Sequence, residues 1–210
     1  MNYYILKQEV DPTNFVDFWA RRYNDRSEPT YRKYIKRPLS PESVRKLFAW
    51  KAMQINRKSI EAGEHPFVET VIVCLDHFLS SPLNSLEDAN NFLTNELKGK
   101  GMIWKIFTLH IMHPERYPIF DQNVYRAMHY LHAGTIMEIP LKNSDKQSSY
   151  INEYLPFYNH HESYEDRKLD KALFSFGRFL KIPQTSFEGT GRADQGKDYK
   201  NIQRAKEAQR

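Results

Sequence analysis

Between Met102 and Met112 the chain reads Met-Ile-Trp-Lys-Ile-Phe-Thr-Leu-His-Ile-Met, apolar on nearly every side of a helix. Such a helix belongs in the middle of a domain, because no broad face of it favours water. The flanking sequence supplies helices to cover it. Asp11-Pro12 starts one, with Phe15, Phe18 and Trp19 on a single face. Ser40-Pro41 places a capping residue before a first-turn proline, and Val44, Leu47 and Phe48 follow at helical spacing. From Phe67 to Leu79 the apolar set Val68, Val71, Ile72, Leu75 and Leu79 fits a 3.6-residue period. Ser85 with Asp88 forms a capping-box-like pair ahead of Leu86, Ala89, Leu93 and Leu97. Further helices are expected over Gln122–Leu131, Lys146–Tyr158 and Glu165–Lys181. Beyond the first ten residues no convincing period-two alternation occurs, so the expected fold class is all-α.

The chain has 210 residues, 40% of them apolar, which suits one domain with a core of its own. That domain is expected over residues 1–183. From Gln184 the sequence turns polar, with Gly189, Gly191 and Gly196, and 184–210 reads as a flexible tail. There is no apolar run of 18 residues, so no membrane span is expected. A single cysteine, Cys74, excludes a disulfide framework and a cysteine-based zinc cluster. The start, Met1-Asn2-Tyr3-Tyr4, lacks the basic start and apolar core of a signal peptide. The expectation is a cytoplasmic monomer without a cofactor or a metal. The i, i+3 pairs His110/His113 and His129/His132 are read as caps or core polar groups.

Net charge is +5, unevenly spread. From Ala20 to Lys58 there are twelve Lys/Arg and three Asp/Glu, a net of +9, leaving the rest of the chain near −4. Tyr23, Tyr31, Tyr34, Phe48 and Trp50 are interleaved with those cations. A basic stretch with aromatic residues suits a polyanion whose bases stack, and equally a solvated helix face.

Leu97-Lys98-Gly99-Lys100-Gly101-Met102 lies between two strong helical segments. Helix, Gly-x-Gly turn, helix is a way to present backbone N–H groups to a phosphate. The second helix adds its N-terminal dipole, and Lys98 and Lys100 add charge. Beyond it, Pro118-Ile119-Phe120-Asp121-Gln122-Asn123-Val124 leads through a proline-containing stretch into an Asp that starts a helix. Asp121 follows Gly101 by 20 residues. The hairpin, the apolar helix and this Asp together resemble the helix-hairpin-helix DNA glycosylase superfamily. The resemblance is close over about 35 residues. It implies a two-lobed helical fold with a cleft, base excision from double-stranded DNA, and Asp121 as the catalytic carboxylate.

The chemistry of the residues agrees. Breaking an N-glycosidic bond builds positive charge on the sugar, which a fixed carboxylate offsets; the same group can position or deprotonate a water. Asp121 also reads simply as a helix N-cap, and the two roles are compatible. The expected DNA-binding residues are Lys98, Gly99, Lys100, Gly101 and Met102, and Trp50 with Lys51 is the candidate base pocket. Bifunctional members of the superfamily carry a Schiff-base Lys two residues after the second hairpin glycine, where this chain has Ile103. Lys105, two residues on, points about 200° away on a helix. The four-cysteine iron–sulfur site of other members is impossible here. A monofunctional glycosylase acting in repair, or in defence against phage DNA with modified bases, is therefore expected. The alternative is a non-catalytic DNA-binding helical module.

Overall fold

The structure is a computed structural model that describes residues 10–52, 56–81, 83–97, 101–161, 164 and 167–187, with side chains up to residue 181. The described residues form α-helices and turns, with no strand among them. In chain order the helices are α1 Pro12–Ala20, α2 Glu28–Tyr34, α3 Pro41–Lys51, α4 Arg57–Glu61, α5 Pro66–Val73 and α6 Leu75–Ser80. They continue with α7 Leu86–Asn91, α8 Met102–Met112, α9 Gln122–Ala133, α10 Asn143–Ser148, α11 Leu155–Asn159 and α12 Lys168–Phe187. Wider π-helical turns occupy Phe92–Glu96 and Ser149–Tyr154. The protein is all-α.

Local chemistry starts these helices. Asp11 accepts the N–H of Asn14 at 2.9 Å, and Ser40 accepts that of Ser43 at 3.1 Å. Ser85 and Asp88 complete a reciprocal capping box. The apolar α8 is the central helix and buries eight of its eleven residues. Gly134 ends α9 with φ 67, a left-handed position that favours glycine.

Packing decides the rest. The single helix expected over Phe67–Leu79 is two, broken at Cys74, where ψ is 7. The break turns Val73 out to 85% exposure while Leu75 and Phe78 return to the core. The helix expected over Lys146–Tyr158 starts at Asn143 and widens into the π turn. Tyr150, Ile151, Tyr154 and Leu155 are all buried there, a grouping that the wider turn accommodates. The last helix runs on to Phe187, past Pro183 and into the segment expected as tail. Proline fits helical φ and forfeits one hydrogen bond. The remainder of that tail lies outside the described residues.

Two helices distant in sequence organise the site. α12 lies along α9 on one side and α1 on the other. At the α9 crossing, Gly177 meets the backbone of Asn123 so closely that an added Cβ would sit 1.9 Å from its carbonyl oxygen. Buried Arg126 spans the same contact, donating to Gly177 O at 3.0 Å, Asn123 Oδ1 at 3.3 Å and Glu138 Oε1 at 2.8 Å. No described helix is long and apolar enough to cross a membrane.

Candidate active site

Tyr117 to Phe120 run buried between α8 and α9. The Phe120 ring packs against Tyr150 and Tyr154, with centroids at 5.3 and 5.2 Å. The Tyr150 hydroxyl donates to Pro118 O at 3.3 Å. This clamp fixes where the chain turns into α9, and therefore where Asp121 stands. Asp121 is the N-cap: its Oδ1 accepts the N–H groups of Asn123 at 2.8 Å and Val124 at 3.2 Å. Its Oδ2 is left over for other partners. Lys51, the last residue of α3, reaches it with Nζ at 3.2 Å and also donates to Phe120 O at 3.4 Å. The two side chains are 22% and 15% exposed, so the pair is reachable but sheltered.

Asp121 and Lys51 line a cavity of about 730 Å³. Trp50, Tyr23, Tyr34 and Phe174 give it aromatic walls, and Ile103 lines it as well. Trp50 packs against Tyr31 at 4.9 Å and Phe107 at 6.1 Å between ring centroids. The cavity lies where α2, α3 and α12 meet the start of α9 and the first turn of α8.

Beside the aromatic walls is a charged cluster. Glu28 is 9% exposed and pairs with Arg167 Nη2 at 2.9 Å and Lys171 Nζ at 3.4 Å, while the Tyr23 hydroxyl donates to it at 3.2 Å. The Arg167 guanidinium lies 3.7 Å from the centre of the Tyr31 ring. Arg167 has φ 54, an uncommon left-handed backbone for a residue with a Cβ, at the entry to α12. Burial opposes its charge, but Tyr31, Asp170, Glu28 and Tyr23 outweigh that and push its pKa upward. Three aspartates line the cavity. Burial works to raise Asp25, but hydrogen bonds from the Ser27 hydroxyl and N–H and from Tyr23 hold it below the usual range. Burial raises Asp170 to about 6, against Arg167, the Ile119 N–H and Lys51, with Asp121 adding to the rise.

His110 lies in the core behind Tyr31, which packs against the cavity-lining Trp50. It is fully buried, with Nδ1 2.7 Å from Tyr117 O and Nε2 2.7 Å from the Tyr31 hydroxyl. A carbonyl only accepts, so Nδ1 carries the proton and Nε2 accepts from Tyr31. Burial, reinforced by Arg167, Lys51 and Arg37, lowers its pKa to about 3.

These two shifts act oppositely on stability. His110 refuses in the folded state a proton that the unfolded chain binds below its ordinary pKa of 6.5, so it removes stability on acidification. Asp170 keeps a proton that the unfolded chain releases above 3.8, so it removes stability as pH rises toward 6. Between about pH 4 and 6 the slopes oppose each other. Asp170→Asn is expected to unmask the histidine. Its stability in denaturant titrations should fall from pH 6 to pH 4 more steeply than that of the wild type, by about 1.4 kcal/mol per pH unit. Parallel profiles would mean that Asp170 is ionised throughout.

Of the residues singled out in the sequence, Asp121, Lys51 and Trp50 share one cavity. Lys98, Gly99 and Lys100 lie outside the described residues. Gly101 has φ −61 and ψ 147, an ordinary extended backbone, and nothing among the described residues stands within 4 Å of where its Cβ would be. Its position is open but demands no glycine conformation. The Met102 N–H donates to Asn143 Oδ1 at 3.2 Å and its side chain is buried, because the start of α10 packs against that of α8. Lys105 points out of the cavity and donates to Leu93 O at 3.0 Å. The sequence reading missed Asp25, Glu28, Arg167, Asp170 and Lys171. A signal existed in α12: Asp170 and Lys171 stand among Leu169, Ala172 and Leu173, so one turn is buried all round. Among the described residues, no three His, Cys, Asp or Glu are placed to hold a metal. Compared with known proteins, the chain matches no family model, no curated protein and no solved structure.

Proposed function

We propose that the protein is a monofunctional DNA N-glycosylase, which flips a damaged or modified base into the cavity and hydrolyses its glycosidic bond to leave an abasic site. One observation carries this reading. Asp121 is held rigidly by two helix N–H groups while its second oxygen stands at the wall of an aromatic-lined cavity. A space of about 730 Å³ is of the size that encloses small-molecule ligands, so a base with its sugar fits. Extruded bases are held by stacking on aromatic side chains, and Trp50, Tyr23, Tyr34 and Phe174 supply such faces. The Asp121 carboxylate then offsets the charge growing on the sugar and directs water to the anomeric carbon. Ile103 supports the monofunctional reading: the position of the Schiff-base lysine in bifunctional relatives of the motif lines this cavity and is apolar. On this reading the cavity, where α2, α3 and α12 meet the starts of α8 and α9, serves as the cleft of a two-lobed glycosylase.

Incubation with duplexes carrying a panel of modified bases, followed by alkali to cleave abasic sites, tests the reading. Strand cleavage at one modified base is the expected result, and intact strands throughout would sink it. The Lys51–Asp121 ion pair favours a second reading, a non-catalytic DNA-binding helical module in which the pair only ties α3 to α9. That module would bind the panel and cleave none of it.

Duplex affinity is expected to fall linearly on a log–log plot against salt, by about 0.9 per phosphate neutralised. Lys98→Ala combined with Lys100→Ala should flatten that slope by up to about 2 and weaken binding across all sequences. An unchanged slope would place the phosphate contacts in the Ala20–Lys58 stretch instead.

A further inference from the structure

Asp170 is a buried acid for which the proposed chemistry of Asp121 finds no use. It is 5% exposed, yet it lines the cavity. The Ile119 N–H supports its carboxyl group, while Oδ1 has no hydrogen-bond partner among the described residues. An ionised carboxylate with an unpartnered buried oxygen is costly, whereas a neutral acid holds there a proton ready to give. Asp121, at the start of α9, lines the same space with its helix-bound carboxylate. A buried acid with an unpartnered oxygen and a helix-bound carboxylate in one cavity form the pattern of an acid and a base.

We propose that Asp170 is the general acid that protonates the departing base, with Asp121 acting on the water. This rests on the glycosylase reading and deepens it. In the balanced step, water oxygen bonds to the anomeric carbon and the carbon–nitrogen bond breaks. The bonding pair leaves with the base and takes the Asp170 proton. Asp121 receives the proton lost by the water, and solvent exchange resets the two groups. The requirement is chemical: a neutral nucleobase leaves poorly as an anion and well once protonated. A base that already carries positive charge, such as N7-methylguanine, needs no such proton.

The groups facing Asp170 set its titration. Arg167 and Lys51 favour its charge, and Asp121 opposes it. Lys171 is its neighbour on α12 and pairs with Glu28. Tyr31 from α2, Tyr150 and Tyr154 from the π turn and Tyr158 from α11 couple to it and stay protonated in the working range.

The test is single-turnover excision from duplexes carrying a neutral altered base (hypoxanthine, uracil or 8-oxoguanine) and from one carrying N7-methylguanine, at pH 5 to 8. For whichever neutral base is excised, the wild-type rate should decline above about pH 6, the value to which burial lifts Asp170. Asp170→Asn should cut that rate by about 10²- to 10⁴-fold and erase the decline. Its excision of N7-methylguanine should stay within about threefold of wild type. Near-normal excision of neutral bases by Asp170→Asn overturns the inference, as does a wild-type profile flat from pH 5 to 8. An equal loss on both kinds of duplex overturns it too, since that marks a group that merely positions others. If Asp170→Asn fails to fold, judged by its melting curve, the wild-type profiles on the two kinds of base decide alone. Asp121→Asn run alongside separates the two ideas. Loss of all excision there with none in Asp170→Asn refutes only the role of Asp170, whereas a wild type that excises nothing refutes both.

Discussion

Asp121→Asn is expected to lose base excision by about 10²- to 10⁴-fold in single turnover while keeping its fold and its grip on DNA. Asparagine is nearly isosteric, and its amide oxygen still accepts the N–H groups of Asn123 and Val124. With that oxygen committed to the cap, the amide nitrogen faces Lys51, and the 3.2 Å ion pair is gone. The pair is partly open to solvent, so its loss costs about 1 kcal/mol, and melting shifts by only a few degrees. Binding holds or tightens, because a carboxylate no longer repels nearby phosphates. On the proposed glycosylase reading, what the variant lacks is the negative charge that would offset the oxocarbenium-like sugar, together with any capacity to take a proton from water. Excision near the wild-type rate would reduce Asp121 to a helix cap. Borohydride should trap no covalent adduct from the wild type, since Ile103 lines the cavity and the Lys105 ammonium is bound to Leu93 O. A trapped adduct would make Lys51 the nucleophile and the enzyme bifunctional.

Gly177→Ala is the opposite experiment, a change remote from the chemistry that should strike the fold first. In an exposed helix, alanine in place of glycine adds about 1 kcal/mol of stability. Here the new methyl would lie 1.9 Å from Asn123 O, a backbone atom that cannot rotate aside. Separating two packed helices costs about 3 kcal/mol or more, so the clash prevails and a net loss of at least about 2 kcal/mol follows. For a chain of this size that lowers the melting temperature by about 4–8 °C. The displaced turn also holds the Asn123 N–H that fixes Asp121, so excision should drop further than the melting shift explains. Gly101→Ala is the control, with φ −61 and no described residue within 4 Å of the new methyl, and should melt like the wild type. A Gly177→Ala protein as stable as the wild type would show that α9 and α12 slide apart freely.

The legible parts of this molecule are those fixed by neighbours in the chain. The caps at Asp11, Ser40, Ser85 and Asp121 and the all-apolar α8 depend on residues a few positions away, and periodicity and side-chain chemistry reveal them. The cavity is different. Lys51 meets Asp121 across 70 residues and Arg167 meets Glu28 across 139, and no spacing rule links such pairs. Trp50 and Lys51 stood out as a basic–aromatic pair at a helix end, but their proximity to Asp121 is a property of the packing. The helix break at Cys74 was illegible for a related reason: the residues around it keep a helical period, and the break is imposed by where Leu75 and Phe78 must go. Asp170 was hidden by its own helix, whose apolar stripe read as an ordinary buried face.

The walls come from residues 23–61, from Ile103 and from residues 119–124 and 167–178, so the last of them is also the last to be made. On the ribosome, Asp121 emerges as the tip of a helix with no α12 to lie against. Glu28 waits for Arg167 and Lys171, and the α9 first turn lacks the backbone of Gly177 against which it seats. A half-made chain, or one ended by a stop codon before residue 167, therefore carries the Asp121 carboxylate without the walls that α12 adds around it. The cavity is completed in one step, with the closing helix.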